Sequence, residues 1–211
     1  MAGYTQRGGA FKGAFLENVV NRANEGYLFR GIAKVDKTET KVSVRRKYNT
    51  ETHKSEIVGA EFRGGPKVDF NGILRGGQAI GFDTKETADT LGLPLKEIRD
   101  NQIMYFRLAV PFGETCFLVV YSSAHDRFYR IHANKVLMYW DRWQANKRKH
   151  GYNLIPYKDE DMAEIKPQYG LTLDYLAGLY NNADVLAGSK LSQYLDERAV
   201  YAFINRGKGR R

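Results

Sequence analysis

The chain has 211 residues, 43% of them apolar and 13% aromatic, with a single cysteine and a formal net charge of +9 at pH 7. That length supports one substantial core, alone or with an appendage. No apolar run approaches the ~20 residues that a bilayer crossing needs, and one cysteine excludes an intrachain disulfide, as expected of a chain in a reducing cytoplasm. The positive balance points to a polyanionic partner. Nucleic acid fits it better than a membrane surface, because no basic amphipathic helix and no apolar leader stands out.

Residues 1–13 are small, polar and basic, and read as a flexible arm in which Arg7 and Lys12 are available to phosphate. Ala14 to Arg30 reads as a helix. Phe15, Leu16, Val19, Val20, Ala23 and Leu28 form an apolar stripe at i, i+3 and i+4. Glu17 lies beside that stripe, either as a solvated edge or as a carboxylate reaching a site. Gly31 stops the helix, and Gly31 to Val35 reads as a first strand.

Residues 37–67 are strongly polar, with a few β-leaning positions such as Val42, Val44, Ile57 and Phe62. Lys41, Arg45, Arg46, Lys47, Lys54, Arg63 and Lys67 make the segment basic. It would be poor core, and it reads better as a projecting, nucleic-acid-contacting insertion than as a slack loop.

Val68 to Glu86 reads as two strands joined by the turn Arg75-Gly76-Gly77-Gln78, where glycine accepts positive φ without steric cost. Side chains alternate along a strand, so Asp83 and Lys85 face one way while Phe82 and Thr84 face the other. Asp69 on the neighbouring strand can point into the same space. Two convergent carboxylates suit Mg²⁺, a hard cation that keeps waters for a phosphate to replace. A lysine beside them can orient water or offset developing charge. The plain alternative is an exposed hairpin edge protected by charge.

A helix is expected from about Pro94 to Ala109, with Gln102 as the polar member of an apolar face. Glu114 to Ser122 reads as a strand buried on both faces, with Cys116 a small buried residue in it. Arg127 to His132 reads as a final strand, and Asn134 to Asn146 as a helix with Trp140 and Trp143 in core positions. The run Lys147-Arg148-Lys149-His150 follows, ordinary for a helix end and also suited to phosphate. From Gly151 the chain reads as loop-like, with helices at Thr172–Tyr180 and Lys190–Ile204 and a basic tail. The four histidines have no ligand spacing to one another or to Cys116, which argues against a structural zinc.

The order is helix, strand, basic insertion, strand with Asp, strand with Asp-x-Lys, helix with Gln, buried strand, strand, helix. It resembles the restriction-endonuclease-like nuclease core. More closely, the chain resembles the RecU family of Holliday junction resolvases. The residues carrying the likeness are Leu16-Glu17, Ala23 to Leu28, Gly31 to Ala33, Val68 to Gly72, Phe82 to Thr87, Asn101 to Ile103, Cys116 to Val119 and Tyr139 to Arg142.

The resemblance implies an α/β fold with a mixed central sheet flanked by helices and a basic stalk projecting from it. It implies a nuclease domain over 14–180, with the stalk at about 37–67; residues 181–211, read as a C-terminal helical extension and basic tail, have no clear counterpart in the family. It implies a homodimer acting on four-way junctions and branched DNA, with Mg²⁺ in each subunit and Mn²⁺ as a substitute. Asp69 and Asp83 match metal-binding carboxylates, with Glu17 as a further acidic position. Lys85 matches the catalytic lysine, and Gln102 the glutamine of the following helix. Lys12, Lys41, Arg45, Arg46, Lys47, Arg63, Lys67 and Arg75 are the expected DNA contacts. Two positions depart from the family's usual pattern: Asp83 stands where Glu-x-Lys is usual, and Val68 where threonine commonly precedes the first Asp. A less selective nuclease of the same core and a catalytically inactive junction binder are the alternative readings.

Overall fold

A computed structural model describes residues 14–38, 42–50, 52–62, 67–148, 150–158, 162–168 and 170–180. The expected arm, with Lys12, and the expected 190–204 helix and tail lie outside these residues, as do Lys41 and Arg63.

Helix α1 spans Ala14–Phe29 and buries Leu16, Val20, Ala23, Asn24 and Tyr27. Its end is set by Gly31, at φ 64°. Gly31 N–H donates to Leu28 C=O at 3.0 Å and Ile32 N–H to Tyr27 C=O at 2.9 Å, the paired bonds that close a helix on a left-handed residue. Strand β1, Ala33–Lys37, follows.

The polar insertion folds on itself. Strands β2, Val42–Asn49, and β3, Lys54–Phe62, pair only with each other in an antiparallel ribbon, with a bulge between Arg45 and Arg46. Tyr48, Ile57 and Val58 on it are exposed. A lone ribbon that buries so little is marginal by itself, which fits a projection rather than a core element.

Strands β4, Phe70–Leu74, and β5, Ala79–Thr87, form the expected hairpin, with Gly76 and Gly77 at φ 97° and 95° in its turn. Strands β7, Thr115–Ser122, β8, Arg127–His132, and β10, Met162–Ile165, complete a six-stranded sheet ordered β1-β4-β5-β7-β8-β10. Among the described residues only β5 and β7 pair in parallel, so the sheet is mixed. Strand β6, Gly92–Pro94, forms a small separate ribbon with β9, Leu154–Pro156.

Two cores lie on the two faces of this sheet. One holds α1 and the segment 171–176 against Phe70, Phe82 and Phe117, whose rings stack with centroids 5.0 and 4.9 Å apart. The other holds helices α2, Asp100–Ala109, and α3, Ala133–Ala145, against Cys116, Leu118, Val120 and Ile131. Trp140 and Trp143 belong to this second core, as expected of them.

Three expectations are corrected. The second helix begins at Asp100, not Pro94. Proline's fixed φ serves an extended edge as well as a first turn, and Pro94 at φ −65°, ψ 126° is extended. Arg127–His132 is not the last strand, because β10 adds to its edge. Thr172–Tyr180 is a series of turns, not a helix: Gly178 takes φ 75°, and Leu171, Leu173, Tyr175 and Leu176 are inserted singly against α1. No helix among the described residues is long and apolar enough to cross a membrane.

Candidate active site

Phe70 pairs with Phe82 across β4 and β5. One residue further out, Asp69 and Asp83 therefore stand opposite each other, at the open end of the hairpin and away from its turn. Phe82 points into the α1 core, so the neighbouring Asp83 emerges on the α2 side. Asp83 is 1% exposed. Lys85, two residues along the same face, donates from Nζ to Asp83 Oδ1 at 3.0 Å.

Gln102 is fixed at both ends of its amide. It occupies the third position of α2, where its Oε1 accepts the N–H of Arg99 at 3.0 Å. That satisfies one of the donors a helix start leaves unpaired. Its Nε2 donates to Asp83 Oδ2. The polar residue on an apolar helix face thus has both a capping task and a site task.

The electrostatics follow from burial. Asp83 is raised from 3.8 to about 6, chiefly because burial penalises its charged form. The Lys85 ammonium opposes this, and the Asp69 carboxylate adds to it. Two carboxylates with one ammonium leave a negative excess in a desolvated place, and every donor atom offered is oxygen. This set suits a hard divalent cation.

Glu17 is placed elsewhere. It lies on α1, on the other face of the sheet, and pairs with Lys37 Nζ at 2.5 Å. Among the described residues no three His, Cys, Asp or Glu side chains converge as metal ligands, so Glu17 is not grouped with Asp69 and Asp83. Arg45, Arg46 and Lys47 are exposed on β2, and Lys67 is half-buried two residues before Asp69. Arg75 is exposed in the β4–β5 turn, at the far end of the hairpin from the carboxylates.

One neighbouring network escaped the sequence. Tyr105 Oη on α2 lies 2.7 Å from Glu114 Oε1 and 3.0 Å from Asn71 Oδ1, and Asn71 Nδ2 donates to Thr38 Oγ1 at 3.0 Å. Asn71 and Gly81 are partners on the same face as Asp69 and Asp83. A methyl group on Gly81 would sit 2.2 Å from Glu114 Oε1 and 2.9 Å from Tyr105 Oη. The glycine is what lets the network lie flat beside the site. A lone glycine inside a strand pattern was the available signal.

Comparison with known proteins identifies the family. The family model described as Recombination protein U matches residues 11–181. The chain belongs to the RecU family. Its RecU relatives include the Holliday junction resolvase RecU of Geobacillus kaustophilus, 33% identical over 140 residues that cover 66% of this chain and 70% of the relative. That of Oceanobacillus iheyensis is 30% identical over 173 residues, covering 80% of this chain and 84% of the relative. That of Bacillus subtilis is 32% identical over 138 residues, covering 65% and 66%. In RecU terms, the mixed sheet flanked by helices is the family's fold, as the sequence resemblance implied.

Proposed function

We propose that this chain is a Holliday junction resolvase: a divalent-cation-dependent endonuclease that makes paired nicks in four-way DNA junctions. Family membership and the names of its RecU relatives support the activity. The observation that supports the chemistry is the facing pair Asp69 and Asp83, of which Asp83 is desolvated and bonded to Lys85 and Gln102.

Asp69 and Asp83 would hold the cation, Mg²⁺ or in its place Mn²⁺. Bound there, it would polarise the scissile phosphate and lower the pKa of an attacking water. Lys85 extends past Asp83 on the same face, where its ammonium offsets charge developing on the phosphate and orients the water. Gln102 is a positioning residue: its amide fixes Asp83 Oδ2 and is itself fixed by the α2 terminus. Glu17 acts from outside this set. The β2–β3 ribbon, with Arg45, Arg46 and Lys47, would enter the junction's open centre and bind phosphate. Two subunits would present two identical sites to a substrate with its own approximate two-fold axis.

Cleavage of a labelled mobile four-way junction, compared with linear duplex of the same sequence, tests this reading. Paired symmetric nicks in the junction alone, with Mg²⁺ and not with EDTA, are expected. Equal cutting of both substrates would identify a less selective nuclease, and binding without cutting in Mg²⁺ or Mn²⁺ an inactive junction binder.

A further inference from the structure

The basic turn that ends α3 has no part in the site above, yet it lies at the same end of the molecule. Helix α3 starts after His132, which pairs with Phe117 at the far end of β7, and packs back over β7 and β8. The chain then enters β9, which pairs with β6, the strand directly after β5. The turn at 146–148 is therefore at the Lys85 end of β5. The β2–β3 ribbon departs and returns at the Lys37–Phe70 rung, at that end too. The carboxylates stand between two basic surfaces, the ribbon that leaves β1 and returns to β4 and the turn that ends α3 on the β7–β8 side.

The turn is built rather than slack. Lys147 and Arg148 take φ 52° and 58°, two successive left-handed residues that are not glycine. Such backbone persists only where its surroundings fix it. Lys147 N–H donates to Gln144 C=O and Arg148 N–H to Trp143 C=O, each at 2.9 Å, and Asn146 Nδ2 donates to Arg142 C=O at 2.7 Å. The guanidinium groups are held as well. Arg148 lies 5.3 Å from the centroid of the Trp143 ring and donates from Nε to Gln144 Oε1 at 3.1 Å. Arg142 lies 4.7 Å from the Tyr152 ring. Arg107, on the neighbouring helix, is neutralised by Asp141. Among the described residues, Arg142, Lys147 and Arg148 have no carboxylate partner, and all three are exposed. Stacked arginines whose forked ends remain open are suited to phosphate oxygens.

We infer that Arg142, Lys147 and Arg148 form a second DNA-backbone site, which grips a duplex arm on the side of the active site away from the β2–β3 ribbon. The inference rests on the reading of the chain as a junction-binding protein. The ribbon would engage the crossover and the α3 turn would engage phosphates of the arm, so the strand to be cut is held on both sides of Asp69 and Asp83.

The test is equilibrium binding of the full chain to a four-way junction in EDTA, titrated with KCl, together with hydroxyl-radical footprinting. Wild type, Arg142→Gln/Arg148→Gln, and Lys147→Asn are compared, asparagine being tolerant of left-handed backbone. The slope of log affinity against log salt is expected to fall in magnitude by about two in the double variant and about one in Lys147→Asn. Protection should vanish over a short stretch of one arm while remaining at the crossover. Wild-type slope and wild-type footprint in the variants would overturn the inference. If the double variant does not fold, Lys147→Asn decides alone. Should wild type bind junction no better than duplex, the resolvase reading fails, while the slopes on duplex still decide the α3 site.

Discussion

Asp83 and Asp174 are each 1% exposed, and their surroundings are opposite in kind. Asp174 accepts from Tyr27 Oη at 2.8 Å and Tyr180 Oη at 2.7 Å, both neutral donors. Around it, Tyr27 Oη accepts Leu176 N–H at 3.0 Å, and Arg130 Nη1 donates to Tyr175 and Ala177 carbonyls at 2.9 and 2.8 Å. Apart from the Tyr180 bond, which lies within the segment, these contacts tie 171–180 to α1 and β8. Asp83 instead faces another carboxylate, with an ammonium and an amide as its donors. A carboxylate surrounded by hydroxyl donors fastens chain to chain. One that faces its own charge gains a use only when a cation arrives.

Removing the charge at each place should have the largest effects. Asp83→Asn is expected to lower cleavage by on the order of 10³-fold while junction binding and cooperative unfolding persist, as gel cleavage and denaturant melts would show. Retained cleavage would mean that the buried charge is structural at both places. Asp174→Ala should do the reverse. It takes the carboxylate from the buried Tyr27 hydroxyl and from half-buried Tyr180, and should cost about 2–4 kcal/mol in urea unfolding, with cleavage per folded molecule close to wild type.

Gln102→Ala removes an amide that serves both the site and the helix end. A loss of about 10–100-fold in cleavage is expected, with about 1 kcal/mol of stability from the lost cap. Asp83 also predicts a pH dependence. Its folded-state value, about 6, lies above the unfolded 3.8. The folded chain then binds more protons between those values, so cation-free stability falls as pH rises from about 4 to about 6. Asp83→Asn should flatten that slope, measured by thermal melts in EDTA. The smallest effect is expected for Glu17→Gln. Its partner Lys37 is half-exposed, so stability should change by less than about 1 kcal/mol and cleavage by far less than with Asp83→Asn.

How much of this was legible follows the same division. Strand alternation alone separates Phe82 from Asp83 and Lys85, and the Gly76-Gly77 turn fixes the hairpin that sets Asp69 opposite Asp83. The contacts of Glu17 were not legible, because Lys37 is twenty residues away in sequence and only the packing of α1 on β1 joins them. The capping role of Gln102 depends on a helix that starts at Asp100, and Pro94 disguised that start. Strands β9 and β10 are three and four residues long, too short to show a period. Asp174 lies in a run whose leucines and tyrosines mimic a helix face, and its role depends on Tyr27, 147 residues away.

The most direct measurement of the central claim is calorimetric titration of Mg²⁺ into wild type and Asp69→Asn, paired with junction cleavage by the same samples. Wild type is expected to bind the cation and cut, whereas Asp69→Asn should stay folded, bind the junction, take up no cation at the site and not cut. An Asp69→Asn protein that still cuts with Mg²⁺ would show that the facing carboxylates are not the catalytic centre.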